Sequence, residues 1–502
     1  MITKLGSKWV QVVVALIGLV ICGCSPLTTQ ISSHDDRYGQ DCIALYQKLD
    51  RSSDKAGTLD SGTAQIDGFP HLRINRFLSI FADQSLSGLK LSAWLERLRR
   101  LDYSVRLHEY VNLPQQSRKQ LAPQVPNELA LRQQLDECGR YLVSYQLNHP
   151  NQQQALFDNA RVPDSYIQWH RVVGLYPIVR LFAKAGVEDL HQELSKNFKT
   201  DPTELAVSGH LMRYAPNTGH WLSAEQIQSI LAESSKNPLK IPGPSDEALN
   251  LLFGTFAPIW EIDVINDQDN IGAISFDKNG QFQVDRTKPR VYRQVSHTSF
   301  GGKILLQLNY IAWFPAREKE SSLDLYGGRF DGLIWRVTLG ADGHPLVYDS
   351  IHPCGCYYLI FPRKGMQLIP PNEHDEPVLS PYSAPDLGDQ QRLVIRVAHR
   401  THYIDRVYTA NTNQQSTVYA LNHYSDLLSV KSKSDQNRSF FNEHGLVSNS
   451  ERLERFVLWP LGVRSAGAMR QWGTHAIAFI GKRHFDDPYL MESLIKPMQQ
   501  LY

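Results

Sequence analysis

Cysteine is scarce in this chain. It has six in 502 residues, far too few for a scaffold built from disulfides. An excess of either charge is missing too: 52 Lys and Arg face 51 Asp and Glu. That balance gives no basic field for nucleic acid and no polybasic patch for an anionic membrane surface. No internal repeat and no low-complexity tract interrupts the sequence, so a repeat solenoid is not supported. One long apolar run occurs, "WVQVVVALIGLVI". Its 13 residues are too few to span a bilayer as a helix, which takes about 20. No spacing sets a Ser or Cys nucleophile in a triad with His and an acid.

What remains is ordinary globular composition, 42% apolar and 21% charged. A chain of this length normally forms two or more domains, each with its own core.

The N-terminus carries Lys4 and Lys8, then the apolar run, then "ICGCS". A positive start followed by a short apolar core reads as a secretion signal. Ile21-Cys22-Gly23-Cys24 resembles the lipobox of bacterial lipoproteins. The resemblance covers only about the first 25 residues. It implies a signal peptide over 1–23, cleavage before Cys24, and acylation of the Cys24 thiol and its new amine. Ser25 in place of Asp implies sorting to the outer membrane, with the body in the periplasm. Several acyl chains make a durable anchor where one does not. Residues 24–35 then read as a polar tether to the lipid bilayer.

The body is expected to be α+β. Residues 36–233 read as a helical domain, with stripes such as Leu131, Leu135, Cys138 and Leu142. Ser223 is placed to cap the last helix. Residues 234–247 hold three prolines and a glycine and read as a linker. Residues 248–502 read as a β-rich, mostly antiparallel domain with a C-terminal helical segment. "KILLQLNYIAWF", "GLIWRVTL" and "PLVYDSI" are typical of its strands. Residues 363–390 form a Pro-rich excursion of the kind that serves as a lid.

An oxidising envelope favours paired cysteines. Cys42 and Cys138 both lie in helical patterns, and the other two cysteines are near neighbours. The expected bridge is therefore Cys42–Cys138.

The densest chemical cluster is "IHPCGC", with His352, Cys354 and Cys356 at alternate positions. Pro353 and Gly355 let the chain bend so that the side chains converge. Three outcomes stay open: a metal site, a ring disulfide between Cys354 and Cys356, or plain thiols. Zinc takes Cys and His, and Cys-x-Cys also suits Cu(I). Further ligands would come from His297, or from His399 or His402. The last two are three apart and fall on opposite faces of a regular strand, so only one is expected, and His399 is taken. Asp331 and Asp349 could serve His352 as acid or base, although Asp at a strand end is more often a turn residue. Trp313, Trp335, Tyr357 and Tyr358 read as core. Two functions compete. One is an envelope lipoprotein whose β-rich half binds a ligand, an envelope protein or peptidoglycan. The other is a metal-dependent hydrolase or thiol-redox enzyme using the cluster.

Overall fold

Helix formation begins where the Asp36 side chain accepts the Gly39 N–H at 2.8 Å and so satisfies an end-of-helix donor. The computed structural model describes residues 36–217, 221–388, 390–411, 415–432 and 436–498. The expected signal segment and tether, with Cys24, lie outside them. Helix α1 (Arg37–Ala56) ends at Gly57 in the left-handed region, φ 63°, where a residue without Cβ is least strained. Helices α2 (Gly88–Asn112) and α3 (Glu128–Leu147) bury the stripes read from sequence, Leu91, Trp94, Leu95 and Leu98 on the first and Leu131, Leu135, Cys138 and Leu142 on the second. Cys42 and Cys138 form a disulfide across α1 and α3, with Cα atoms 5.3 Å apart.

This half departs from a helices-only reading in three places. Ala64–Ile66 and Phe69–Ile74 pair as the hairpin β1–β2, and β2 is almost wholly buried. A buried ion network underlies it: Arg106 lies 2.8 Å from both Asp102 and Asp50, and Arg73 lies 2.8 Å from Glu109. The third departure is His210–Pro216 (β3), which is an inner strand of the main sheet.

That sheet has ten strands. Besides β3 they are β4 (Ile259–Val264), β7 (Arg290–Phe300), β8 (Lys303–Arg317), β9 (Gly328–Leu339), β10 (Pro345–Ile351), β11 (Leu359–Pro362), β13 (Gln391–Val397), β14 (Ile404–Asn411) and β15 (Thr417–His423). A small hairpin, β5–β6 (Ala273–Phe276, Phe282–Asp285), and the pair β12–β16 (Met366–Leu368, Ile495–Pro497) complete the strands. The order is β11-β10-β9-β8-β7-β15-β3-β4-β13-β14. The run from β11 to β7 is antiparallel, as expected from its hairpin turns. The sheet as a whole is mixed rather than mostly antiparallel, because β15 runs parallel to β7 and β3, and β13 parallel to β4. These pairings join strands distant in sequence, which local periodicity does not register.

The central strands are apolar on both faces because both faces are covered. On β8, Leu306, Leu308 and Tyr310 join one core with Ile227 of α5 (Ala224–Ser234) and Phe253 of α6 (Asp246–Phe256). Leu305, Ile311 and Trp313 join another with Phe440, Phe485 and Met491 of the C-terminal stretch. That stretch is mostly irregular, with short helices Ser425–Leu428, Arg455–Leu458 and Leu490–Leu494. Ser223 caps α5 in a reciprocal pair with Gln226.

The sheet curls so that its distant parts meet. The ring of Phe314 on β8 stacks on His402, between β13 and β14, at 3.9 Å and 2°. Helix α4 (Gln115–Leu121) is short, and a further helix, α7 (Tyr176–Lys199), lies over a cavity on the His402 side. Among the described residues no helix is long and apolar enough to cross a membrane.

Candidate functional site

The stretch His352–Cys356 turns as its Pro and Gly allow. The Gly355 N–H reaches His352 O at 2.8 Å, and the His352 N–H reaches Cys356 O at 3.0 Å. Gly355 has φ +90°, and an added Cβ would stand 2.2 Å from Ala476 O, so glycine is required there. The turn keeps Cys354 and Cys356 together on one cavity but sends His352 away from both. His352 is buried and places Nδ1 3.2 Å from Asp331 Oδ1, not against a sulfur. Cys354 and Cys356 are free, and Cys354 Sγ accepts the Cys356 N–H at 3.4 Å. The Cys354 hydrogen bond, then burial, pushes the Cys356 thiol well above its usual range. No imidazolium activates it.

The other expected ligands are elsewhere. His297 is half-buried and stacks on Phe77, with Nε2 2.7 Å from Pro242 O. Burial lowers its pKa to about 4 despite that carbonyl. His399 pairs with Asp263 at 3.4 Å. Among the described residues, no three His, Cys, Asp or Glu side chains are grouped to hold a metal ion. The expected zinc or copper set at His352, Cys354, Cys356, His297 and His399 is therefore not assembled.

Of the pair three apart, His402 is the one that reaches His352's neighbourhood. Residues 398–403 form a turn instead of a strand, closed by the Ala398 N–H to Tyr403 O at 2.9 Å, so the strand-face argument does not apply there. His402 Nδ1 lies 2.8 Å from Asp331 Oδ2 and Nε2 lies 3.4 Å from Asp269 Oδ1. The second contact is an ion-pair distance at an angle that makes no hydrogen bond. Burial favours neutral His402, but Asp269 and Asp331 outweigh it and raise its pKa. Burial likewise opposes ionised Asp331, yet His352 and His402 hold its pKa well below the usual range. Asp331 is thus a carboxylate between two imidazoles. Asp349 is occupied differently: it pairs with buried Arg336 and accepts the Tyr358 hydroxyl at 3.0 Å.

Above this chain the site opens. His352 meets the ring edges of Tyr357 and Tyr403 at 4.8 and 5.9 Å. Tyr357 lines a cavity instead of the core, unlike Trp313 and Trp335, which are fully packed. The two tyrosine hydroxyls receive Arg317 Nη1 at 3.2 and 3.5 Å. Among the described residues no carboxylate lies within ion-pair distance of Arg317. Phe330, Tyr357, Arg400 and His402 all have left-handed backbones, φ 52–60°, a concentration of strain typical of functional sites.

The cavity has a volume of about 780 Å³, within the usual range for small-molecule sites. Arg317, Cys354, Cys356, Tyr357, Tyr403 and Glu454 line its inner end, and α7 roofs it. Residues 376–378 of the Pro-rich excursion contribute to a wall, but the excursion is not the lid expected. Its other parts pair on the sheet edge, as at Leu359–Leu379 and β12–β16. Glu454 is only 6% exposed. Burial raises its pKa to about 7, although Arg317, Arg452 and Arg470 pull the other way. Arg452 and Arg470 are spent on backbone carbonyls of Arg329 and Cys354. Arg317 and Glu454 were not legible in sequence: each is a single charged residue with no motif around it.

Comparison with protein-family models, curated proteins and solved structures finds no match to this chain.

Proposed function

We propose that this is a lipid-anchored envelope protein, held at the outer membrane through acylated Cys24 and facing the periplasm, whose β-rich half binds a small anionic ligand. The observation that carries the binding reading is Arg317. Its guanidinium is held by Tyr357 and Tyr403 at the inner end of a roofed cavity, with no carboxylate partner among the described residues. Desolvating a guanidinium without an opposing charge is costly, and a bound anion would offset that cost with charge-assisted hydrogen bonds. The lipobox resemblance supports the anchor.

The thiol-redox reading has one observation in its favour, namely that Cys354 and Cys356 are free and line the same cavity. The high thiol pKa of Cys356 weighs against it. The metal-dependent reading has no grouped ligands among the described residues to support it.

The test is thermal denaturation of the full chain with phosphate and with hexanoate, for wild type and Arg317→Gln. A rise in Tm for wild type with either anion, absent in the variant, supports the reading. Equal response of both proteins, or none in either, overturns it.

A further inference from the structure

We infer that the ligand is a single-chain amphiphile with an anionic head, the head on Arg317 and the chain beneath helix α7. This rests on the reading of Arg317 as an anion site and adds the class of molecule.

The polar groups of the cavity are largely used up internally. Asp324 accepts backbone N–H groups from Glu320, Tyr326 and Gly327. Glu320 holds Arg400 at 2.6 Å. Glu376 accepts the N–H groups of Phe479 and Ile480, and Arg483 donates to the Glu376 carbonyl. Arg317 and Glu454 are left facing the space from the sheet side, opposite Asp189, His191 and Glu193 of α7. Burial raises the pKa of Glu454 to about 7, so it is mostly neutral below that pH. It then does not repel an anion, and its hydroxyl can donate to one.

Asp189, His191 and Glu193 of α7 also border the cavity, but one line of its wall is apolar. Val179, Ala183, Val187 and Leu190 of α7 recur at helical spacing and all line the cavity. A stripe of this kind ordinarily packs into a core. Here only Leu194 and Phe198 are buried on a helix of 24 residues. The helix is pinned at its two ends instead. The Gly481 N–H reaches Tyr176 Oη at 2.8 Å, and Asn197 reaches Asp405 at 2.6 Å while Phe198 packs on Phe361. Between the pins the stripe spans roughly 16 Å at the rise of an α-helix. Val457 and Leu458 face the same space. The cavity therefore presents an apolar stripe together with a guanidinium, Arg317, that has no carboxylate partner among the described residues. An alkyl chain with a carboxylate or phosphate head suits both. Phe182 lines the cavity and is also 75% exposed, so the wall opens to the surface beside α7.

The experiment titrates the full chain, held in amphipol, with hexanoate, decanoate, dodecanoate, dodecanol and dodecyltrimethylammonium by calorimetry. Affinity should rise with chain length, by up to about fourfold per methylene. Arg317→Gln should weaken dodecanoate binding at least about tenfold. Ala183→Trp, which fills the space under α7, should abolish it with the circular dichroism spectrum unchanged. Leu181→Ser, on the exposed side of α7, should leave it intact and so excludes adsorption to the surface. Arg317-dependent binding of hexanoate with no gain from longer chains overturns the amphiphile and leaves the anion site standing. Dodecanol or the cationic surfactant binding as tightly as dodecanoate overturns it as well. No Arg317-dependent binding of any anion overturns both readings.

Discussion

His402 Nδ1 stands 2.8 Å from Asp331 Oδ2, across 71 positions of sequence. The contact ties the β13–β14 turn to β9 and thereby fixes the curl of the sheet. It also orients His352, which shares Asp331, under the tyrosines that hold Arg317. Asp331→Asn leaves two imidazoles without their shared carboxylate. Breaking a buried ion pair from one side costs about 3–5 kcal/mol, and urea denaturation should show a loss of that order. A variant as stable as wild type would remove Asp331 from this role.

The same chain sets a pH dependence. His402 is raised above 6.5 in the fold. Its contribution to stability is fully present below that value and is lost as pH rises through its folded pKa. Asp331 is depressed, so its contribution is present above about pH 4 and fails only in strong acid. Stability measured from pH 5 to 9 should fall on the alkaline side in wild type, and less steeply in His402→Gln.

Glu454 adds to that fall. Its folded pKa is raised from 4.5 to about 7. The fold therefore favours the protonated form, and stability is lost as pH rises from the unfolded value through about 7. Glu454→Gln keeps the size and removes the ionisation. At pH 8 it should be more stable than wild type, by up to about 3 kcal/mol, with little difference at pH 4. Equal pH profiles for the two proteins would show that Glu454 ionises freely.

The helical half depends on its disulfide. Cys42 and Cys138 are 96 residues apart, and closing a loop of that size is worth up to about 4.7 kcal/mol in the chain-entropy model. Cys42→Ser with Cys138→Ser should lower the midpoint of unfolding, and non-reducing peptide mapping should recover the Cys42–Cys138 peptide. Recovery of Cys42 linked to Cys354 or Cys356 would contradict the pairing.

The anchor is tested separately. Cys24→Ala should accumulate as unprocessed precursor, while wild type fractionates with the outer membrane. Normal cleavage and membrane retention of the variant would contradict lipidation.

Much of the fold was legible because it is local. Leu131, Leu135, Cys138 and Leu142 announce a helix from one short window, and the strands from β8 to β11 announce themselves through turns and β-branched runs. β3 was not legible: "HLMRYAP" has no partner nearby, and its strand character comes from β15 and β4 on either side. The site divides the same way. The bend at Pro353 and Gly355 could be read, but the direction of each side chain after the bend could not. His352 turned to Asp331, and Cys354 and Cys356 turned to the cavity. Arg317 and Glu454 meet only because the end of β8 and an irregular C-terminal stretch are brought to one cavity, and α7 closes it from a third part of the chain.

The most direct test is a crystal structure of the protein grown with dodecanoate. The account predicts the carboxylate on the Arg317 guanidinium, within reach of Tyr357, Tyr403 and Glu454, and the chain running along Val179, Ala183, Val187 and Leu190. Dodecanoate bound elsewhere, or a cavity holding only water at saturating ligand, would contradict it.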